Sequence, residues 1–215
     1  MKQVKLAVLV FSAFLANAAM AVGDAAAGEG KSAVCAACHG ADGNSPAGDF
    51  PSLAGQNAEY LFKQMKDYQT GARKDAVMTI NVRGLEEQDL QDLAAFYASK
   101  KITVQQADPE LIELGERVYR GGDVAKGLPS CSGCHGPDGR GLKGSTFPAL
   151  GGQHASYLEI QLKAFRAAGR DDLGVERMRS NDVDGDGLGM MQAVAAKLSD
   201  RELQAVASFI SGLGQ

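Results

Sequence analysis

Two short cysteine motifs constrain this chain more than any other feature in it. Cys35-Ala-Ala-Cys38-His39 and Cys131-Ser-Gly-Cys134-His135 share the spacing C-x-x-C-H, and between them they use all 4 cysteines. Two thiols at this spacing can reach the two vinyl groups along one edge of a porphyrin and close two thioethers. The next residue, a histidine, then points beneath the ring and binds the iron through an imidazole nitrogen. Each motif runs on into Gly and then Asp-Gly (Gly40, Asp42-Gly43; Gly136, Asp138-Gly139). Disulfide loops are compatible with an exported chain. A four-cysteine zinc site would leave both histidines unexplained, and a thioredoxin-like motif needs a βαβ setting that is missing here. The doubled motif favours two covalent haem c groups, one on Cys35 and Cys38 and one on Cys131 and Cys134, with His39 and His135 as the first axial ligands.

The surroundings of the motifs repeat as well. After each come Phe-Pro (Phe50-Pro51, Phe147-Pro148), Gly-Gln (Gly55-Gln56, Gly152-Gln153), Tyr-Leu (Tyr60-Leu61, Tyr157-Leu158) and a Gln four residues past the tyrosine (Gln64, Gln161). One inserted residue between motif and Phe-Pro brings the halves into register. The period, about 97 residues, is too long for a solenoid unit and suits duplication of a small domain. The boundary is expected near Lys101–Pro109, giving domains 22–103 and 104–215.

The first residues read as an export signal: Lys2 and Lys5, an apolar run from Leu6 to Leu15, and a small-x-small site at Ala19-Met20-Ala21. Segment 1–21 is therefore expected to be a cleaved signal peptide, since its apolar run is short for a membrane span. Loss of Lys2 and Lys5 takes the formal charge from −4 to −6. That acidity argues against nucleic acid as a partner and is compatible with a basic patch on a protein partner.

The periodicity predicts an all-α chain. Leu90, Leu93, Ala94 and Tyr97 recur at helical spacing, as do Leu203, Val206, Ala207 and Ile210. Ser199 and Glu202 form a capping box at the start of the latter helix. Tyr60, Leu61, Gln64 and Met65, with Tyr157, Leu158, Gln161 and Leu162, predict a further helix in each half. The chain has no Trp and 27 Gly, so each domain would have a thin core that a covalent haem would thicken.

The second axial ligand separates electron transfer from small-molecule chemistry. His154 is the only remaining histidine, and its counterpart is Asn57, so it reads as a surface or haem-edge residue. Methionine is the better candidate. Met78 lies seven residues before Leu85, and Met191 lies seven before the equivalent Leu198. Met190 is off by one, Met178 lies far upstream, and Met65 suits gap-filling in a helix. Met78 and Met191 are assigned. The carbonyl of Pro51 or Pro148 could orient the axial histidine by accepting its N–H.

These residues resemble the dihaem cytochrome c4 family over essentially the whole mature chain. The specific elements are the paired CxxCH motifs, the lead-in from Gly28 to Cys35, and Val194-Ala-Ala-Lys-Leu-Ser199. The resemblance implies two tandem class I cytochrome c domains across a pseudo-twofold interface, with His/Met ligation through His39, Met78, His135 and Met191. It implies a periplasmic electron carrier, soluble or peripherally membrane-associated, with a quinol-oxidising complex as donor and a terminal oxidase or reductase as acceptor. One departure is a lengthened acidic stretch, Asp171 to Gly189. Its Asp182-Val183-Asp184-Gly185-Asp186-Gly187 mimics the start of a calcium loop. Position twelve is Ala193 rather than a bidentate Glu, which favours a solvated loop. The competing function classes are a dihaem peroxidase-type enzyme, which would need an open iron, and the cytochrome subunit of a flavocytochrome sulfide dehydrogenase.

Overall fold

The computed structural model describes residues 23–172, 178–183 and 187–214. The expected signal segment 1–21 lies outside the described residues, as do the 173–177 and 184–186 parts of the acidic stretch. The first half contains α1 (Ala25–Lys31), a tight 3₁₀ turn (Ser32–Val34), α2 (Ala36–His39), α3 (Ala58–Thr70), α4 (Ala76–Val82) and α5 (Glu87–Ala98). The second contains α6 (Ile112–Gly121), α7 (Ser132–His135), α8 (Ala155–Arg170), α9 (Met190–Ala195) and α10 (Asp200–Ser211). Among the described residues there is no strand, only an isolated bridge between Asp123 and Leu128.

The same packing occurs twice. α1 and α3 pack on α5, and α4 packs on α3; α6 and α8 pack on α10, and α9 on α8. Helical spacing in the sequence dictates which faces meet. Leu90, Leu93, Ala94 and Tyr97 are all buried on α5, and Leu203, Val206, Ala207 and Ile210 on α10. Each fully buried leucine contributes about 2 kcal/mol by removal from water. Gly28 and Gly115 let the first helix of each domain cross the last at close range. A β-carbon at Gly28 would strike the carbonyl of Asp92, and one at Gly115 the carbonyl of Ala205.

Both long C-terminal helices open with reciprocal caps. Ser199 Oγ accepts from Glu202 N at 3.3 Å while Glu202 Oε2 accepts from Ser199 N at 2.9 Å. Glu86 and Asp89 form the matching box on α5. Such pairs satisfy backbone N–H groups that the first turn leaves without partners.

The two domains meet through a twofold exchange of hydrogen bonds. Gln56 Nε2 donates to Ala149 O at 2.8 Å, and its Oε1 accepts from Ala149 N at 2.7 Å. Gln153 repeats this on Ser52, donating to its carbonyl at 2.8 Å and accepting from its N–H at 2.9 Å. Gln56 and Gln153 are counterparts in the repeat, and so are Ser52 and Ala149. The connecting segment is tied to both sides: Thr103 N donates to Asn44 Oδ1 at 2.7 Å and Asp108 N to Ser208 Oγ at 2.8 Å.

Candidate haem sites and the seam between them

Each C-x-x-C-H motif lies in a one-turn helix whose last residue is the histidine. Both imidazoles are buried. His39 Nδ1 donates to Pro51 O at 2.8 Å and His135 Nδ1 to Pro148 O at 3.0 Å. The Phe-Pro segments thus play the orienting role anticipated for them. With the proton on Nδ1, Nε2 is the lone-pair nitrogen, the one a metal takes. Burial pushes both imidazoles below their ordinary pKa, against a smaller opposing effect of the proline carbonyls. That favours the neutral ring that metal binding requires.

No disulfide joins the four cysteines, so neither motif is a disulfide loop. Burial pushes the Cys131 thiol up to about 11 and raises that of Cys35. Two cysteines three residues apart, followed by a buried neutral histidine, are a donor set that fits thioether attachment rather than a thiolate metal cage. No cluster of three or more His, Cys, Asp or Glu suited to a free metal ion occurs among the described residues.

The methionines singled out by the repeat stand in matching places, at the first turns of α4 and α9. Asp75 caps α4, accepting from Val77 N and Met78 N at 3.0 Å each. In α9 the equivalent support comes from further away: Asp182 accepts from Met191 N at 2.6 Å and from Gln192 Nε2 at 2.9 Å. Met78 and Met191 are partly buried, whereas Met190 is 61% exposed. Asp75 was legible as an N-cap three residues ahead of Met78. Asp182, nine residues ahead of Met191 and inside the acidic stretch, carried no such local signal.

A cytochrome c family model matches residues 25–101 and 112–214. Cytochrome c4 of Pseudomonas aeruginosa is 49% identical over 205 residues, spanning 95% of this chain and 96% of that protein. The crystal structure of reduced recombinant cytochrome c4 from Pseudomonas stutzeri superposes with a TM-score of 0.81 at 47% identity, covering 89% of this chain and all of that one. The chain belongs to the dihaem cytochrome c4 family. It carries two covalent haem c groups and is an electron-transfer protein that works with protein redox partners. A thiosulfate dehydrogenase electron acceptor from Thiomonas intermedia is a further relative, 37% identical over 190 residues, spanning 86% of this chain and 81% of that protein.

In this cytochrome c4 family member the seam between the domains holds two buried arginines. Arg73 NH1 donates to Gln64 Oε1 at 2.8 Å in its own domain, and NH2 reaches Tyr157 Oη at 3.1 Å and Gln161 Oε1 at 2.9 Å in the other. Arg179 mirrors it. NH1 donates to Gln161 Oε1 at 2.8 Å, and NH2 to Tyr60 Oη at 3.0 Å and Gln64 Oε1 at 2.9 Å. Each guanidinium also lies over an aromatic ring, Arg73 on Tyr68 at 4.8 Å and Arg179 on Phe165 at 4.4 Å. Among the described residues neither pairs with a carboxylate; glutamine and tyrosine oxygens satisfy them instead.

This arrangement revises the reading of the acidic stretch as a solvated loop and of His154 as a surface or haem-edge residue. Linear alignment pairs Arg73 with Arg170, but Arg170 is exposed and donates to the carbonyls of Ala196 and Leu198. The spatial partner is Arg179, from the acidic stretch. That stretch is not wholly solvated: Arg179 and Asn181 are buried, and Lys63 Nζ donates to Asn181 O at 2.7 Å across the seam. His154 belongs to the seam as well. Its Nε2 donates to Ser45 O at 2.9 Å, while its counterpart Asn57 donates to Phe147 O at 2.6 Å.

Proposed function

We propose that the chain is a periplasmic carrier in a respiratory chain, exported through segment 1–21, with no catalysis of its own. His39 and Met78 would hold the first iron, and His135 and Met191 the second. A quinol-oxidising complex would supply electrons, and a terminal oxidase or reductase would take them. Haem supplies the one-electron iron couple; the chain supplies its setting. The proline carbonyls hold each histidine as the Nδ1–H tautomer, and Asp75 and Asp182 hold each methionine-bearing turn. The single observation that carries this reading is that both sites have the same build, so neither is visibly opened for a substrate.

Uncharged side chains flank the first site. Val34, next to Cys35, is 68% exposed, and Val77 and Ile80, either side of Met78, are 55% and 68% exposed. An apolar collar of this kind suits brief, weak docking of a redox partner. No helix among the described residues is long and apolar enough to cross a membrane, so any membrane association of the described part would be peripheral. The similarity to thiosulfate dehydrogenase electron acceptors favours a second reading, in which a dehydrogenase is the donor.

The deciding experiment is a redox titration of the holoprotein with spectra of both haems. Two high potentials and a Met–iron charge-transfer band from each oxidised haem support the carrier. Carbon monoxide binding to one reduced haem at neutral pH would reject it. In Met78→Ala and Met191→Ala about half of that band should vanish, while Met190→Ala should keep it whole.

A further inference from the structure

Among the described residues, one buried side-chain polar atom has no hydrogen-bond partner: the hydroxyl of Tyr97. An orphaned buried hydroxyl costs about 1–3 kcal/mol, so its retention in a packed core calls for a partner of another kind. Tyr97 lies on α5 at 3% exposure and meets Phe96 edge-on, ring centroids 4.9 Å apart. Cys35 packs against the same cluster, and its sulfur is the group that faces the hydroxyl.

The second domain lacks this feature. The residue that answers Tyr97 there is Ile210: Gly55 N donates to the carbonyl of Tyr97 at 2.9 Å, and Gly152 N to that of Ile210 at 3.3 Å. The second domain does bring a tyrosine near its first cysteine, but from α6. Tyr119 packs on Phe209 with centroids 5.7 Å apart, and its hydroxyl is already used, donating to Gly136 O at 2.6 Å.

We propose that Tyr97 tunes the first haem alone: its hydroxyl donates to the thioether sulfur that Cys35 forms with the haem. This rests on haem attachment at Cys35. A thioether sulfur has no proton and can only accept, so attachment turns a competing thiol into an acceptor for the orphaned O–H. The positive end of the O–H dipole then sits at the porphyrin edge. Oxidised iron carries one more positive charge than reduced iron, so the dipole favours the reduced state and raises the potential of that haem.

The test uses the holoprotein, with each midpoint potential resolved by the hyperfine-shifted methionine methyl signals of the two haems. Tyr97→Phe keeps the ring and removes the hydroxyl. At a fixed potential the reduced-to-oxidised ratio of the first haem should fall about threefold, or ~30 mV at about 59 mV per tenfold for one electron. The second haem should not move. Tyr119→Phe should leave the first haem where it was. An unchanged first haem in Tyr97→Phe, or an equal shift of both, would overturn the proposal. Independently of any variant, transfer of the wild-type protein into D₂O should shift the C–S vibration of one haem, and no isotope shift would count against the bond. Mass spectrometry of the haem-bearing peptides separates this from the underlying assignment: a Cys35 without haem sinks both.

Discussion

The two domains share one backbone plan yet reach it with different side chains at their most constrained points. In the first, the buried seam arginine is Arg73, just past the end of α3. In the second, the same place is filled by Arg179, nine residues beyond the position that alignment would choose. The lysine that anchors the first turn of the C-terminal helix shows the same pattern. Lys31, at the end of α1, pairs with Asp89 at 2.7 Å, and Lys126, in the loop after α6, pairs with Glu202 at 2.5 Å. Asp89 and Glu202 are equivalent capping residues. What the duplication preserved is the place of a charge or a hydrogen bond in space, while the chain position that supplies it drifted. The cysteines, histidines and proline carbonyls did not drift, because covalent attachment to a rigid ring fixes spacing along the chain and a surface ion pair does not.

Deleting one attachment site should break the comparison most severely. Cys131→Ala with Cys134→Ala should lower the haem content from two per chain to one by pyridine haemochrome assay and unfold the second domain, whose core then loses its covalent group. The first domain should keep its spectrum. Equal loss from both domains would show that neither folds without the other.

The arginines come next. Arg73→Leu and Arg179→Leu should each cost about 3 kcal/mol in denaturant unfolding, since each removes at least three hydrogen bonds at the seam, including the arginine donor to Tyr157 or to Tyr60. Arg170→Leu, at the position that linear alignment pairs with Arg73, should cost about 1 kcal/mol or less, because Arg170 is exposed and the Leu198 carbonyl keeps Arg166 as a donor. A large Arg170 effect with a small Arg179 effect would restore the linear pairing. Gln56→Ala and Gln153→Ala should match each other at about 2 kcal/mol, each removing two hydrogen bonds across the seam.

The smallest effect concerns acid. Lys31 holds Asp92, through a side-chain hydrogen bond above all, well below the ordinary carboxylate range, at about 2. The Asp92 pKa is lower in the folded state than in the unfolded one. Its contribution is therefore complete above about pH 4 and is lost as pH falls towards 2. Glu202 is likewise held at about 2, chiefly by Lys126. Lys31→Met should flatten the acid branch of stability for the first domain, and Lys126→Met that for the second. Haem absorbance during acid titration would follow both.

The reading from sequence went furthest where chemistry is local. The C-x-x-C-H spacing, the Phe-Pro carbonyl that meets each histidine, the helical faces of α5 and α10 and the Ser199 box all lie within one or two turns of chain, and a linear pattern captures them. The repeat extended this to the matched placement of Met78 and Met191. Asp182 under Met191 escaped because it acts from nine residues away along the chain, beyond the reach of a local capping pattern.

By itself, then, the sequence of this protein determined the covalent chemistry, the duplication and the helical class, because thioether geometry and helix periodicity are written at spacings of two to four residues. The tertiary structure alone decided how the halves join. Gln56 with Ala149, Arg179 with Tyr60 and Gln64, and His154 with Ser45 bring together residues about a hundred positions apart. Nothing in the local pattern distinguishes Arg179 from the exposed Arg170, since burial is a property of the assembled seam. The same holds for Tyr97. Its helical spacing marked it as core, but only the packed fold leaves its hydroxyl facing one sulfur with no other partner.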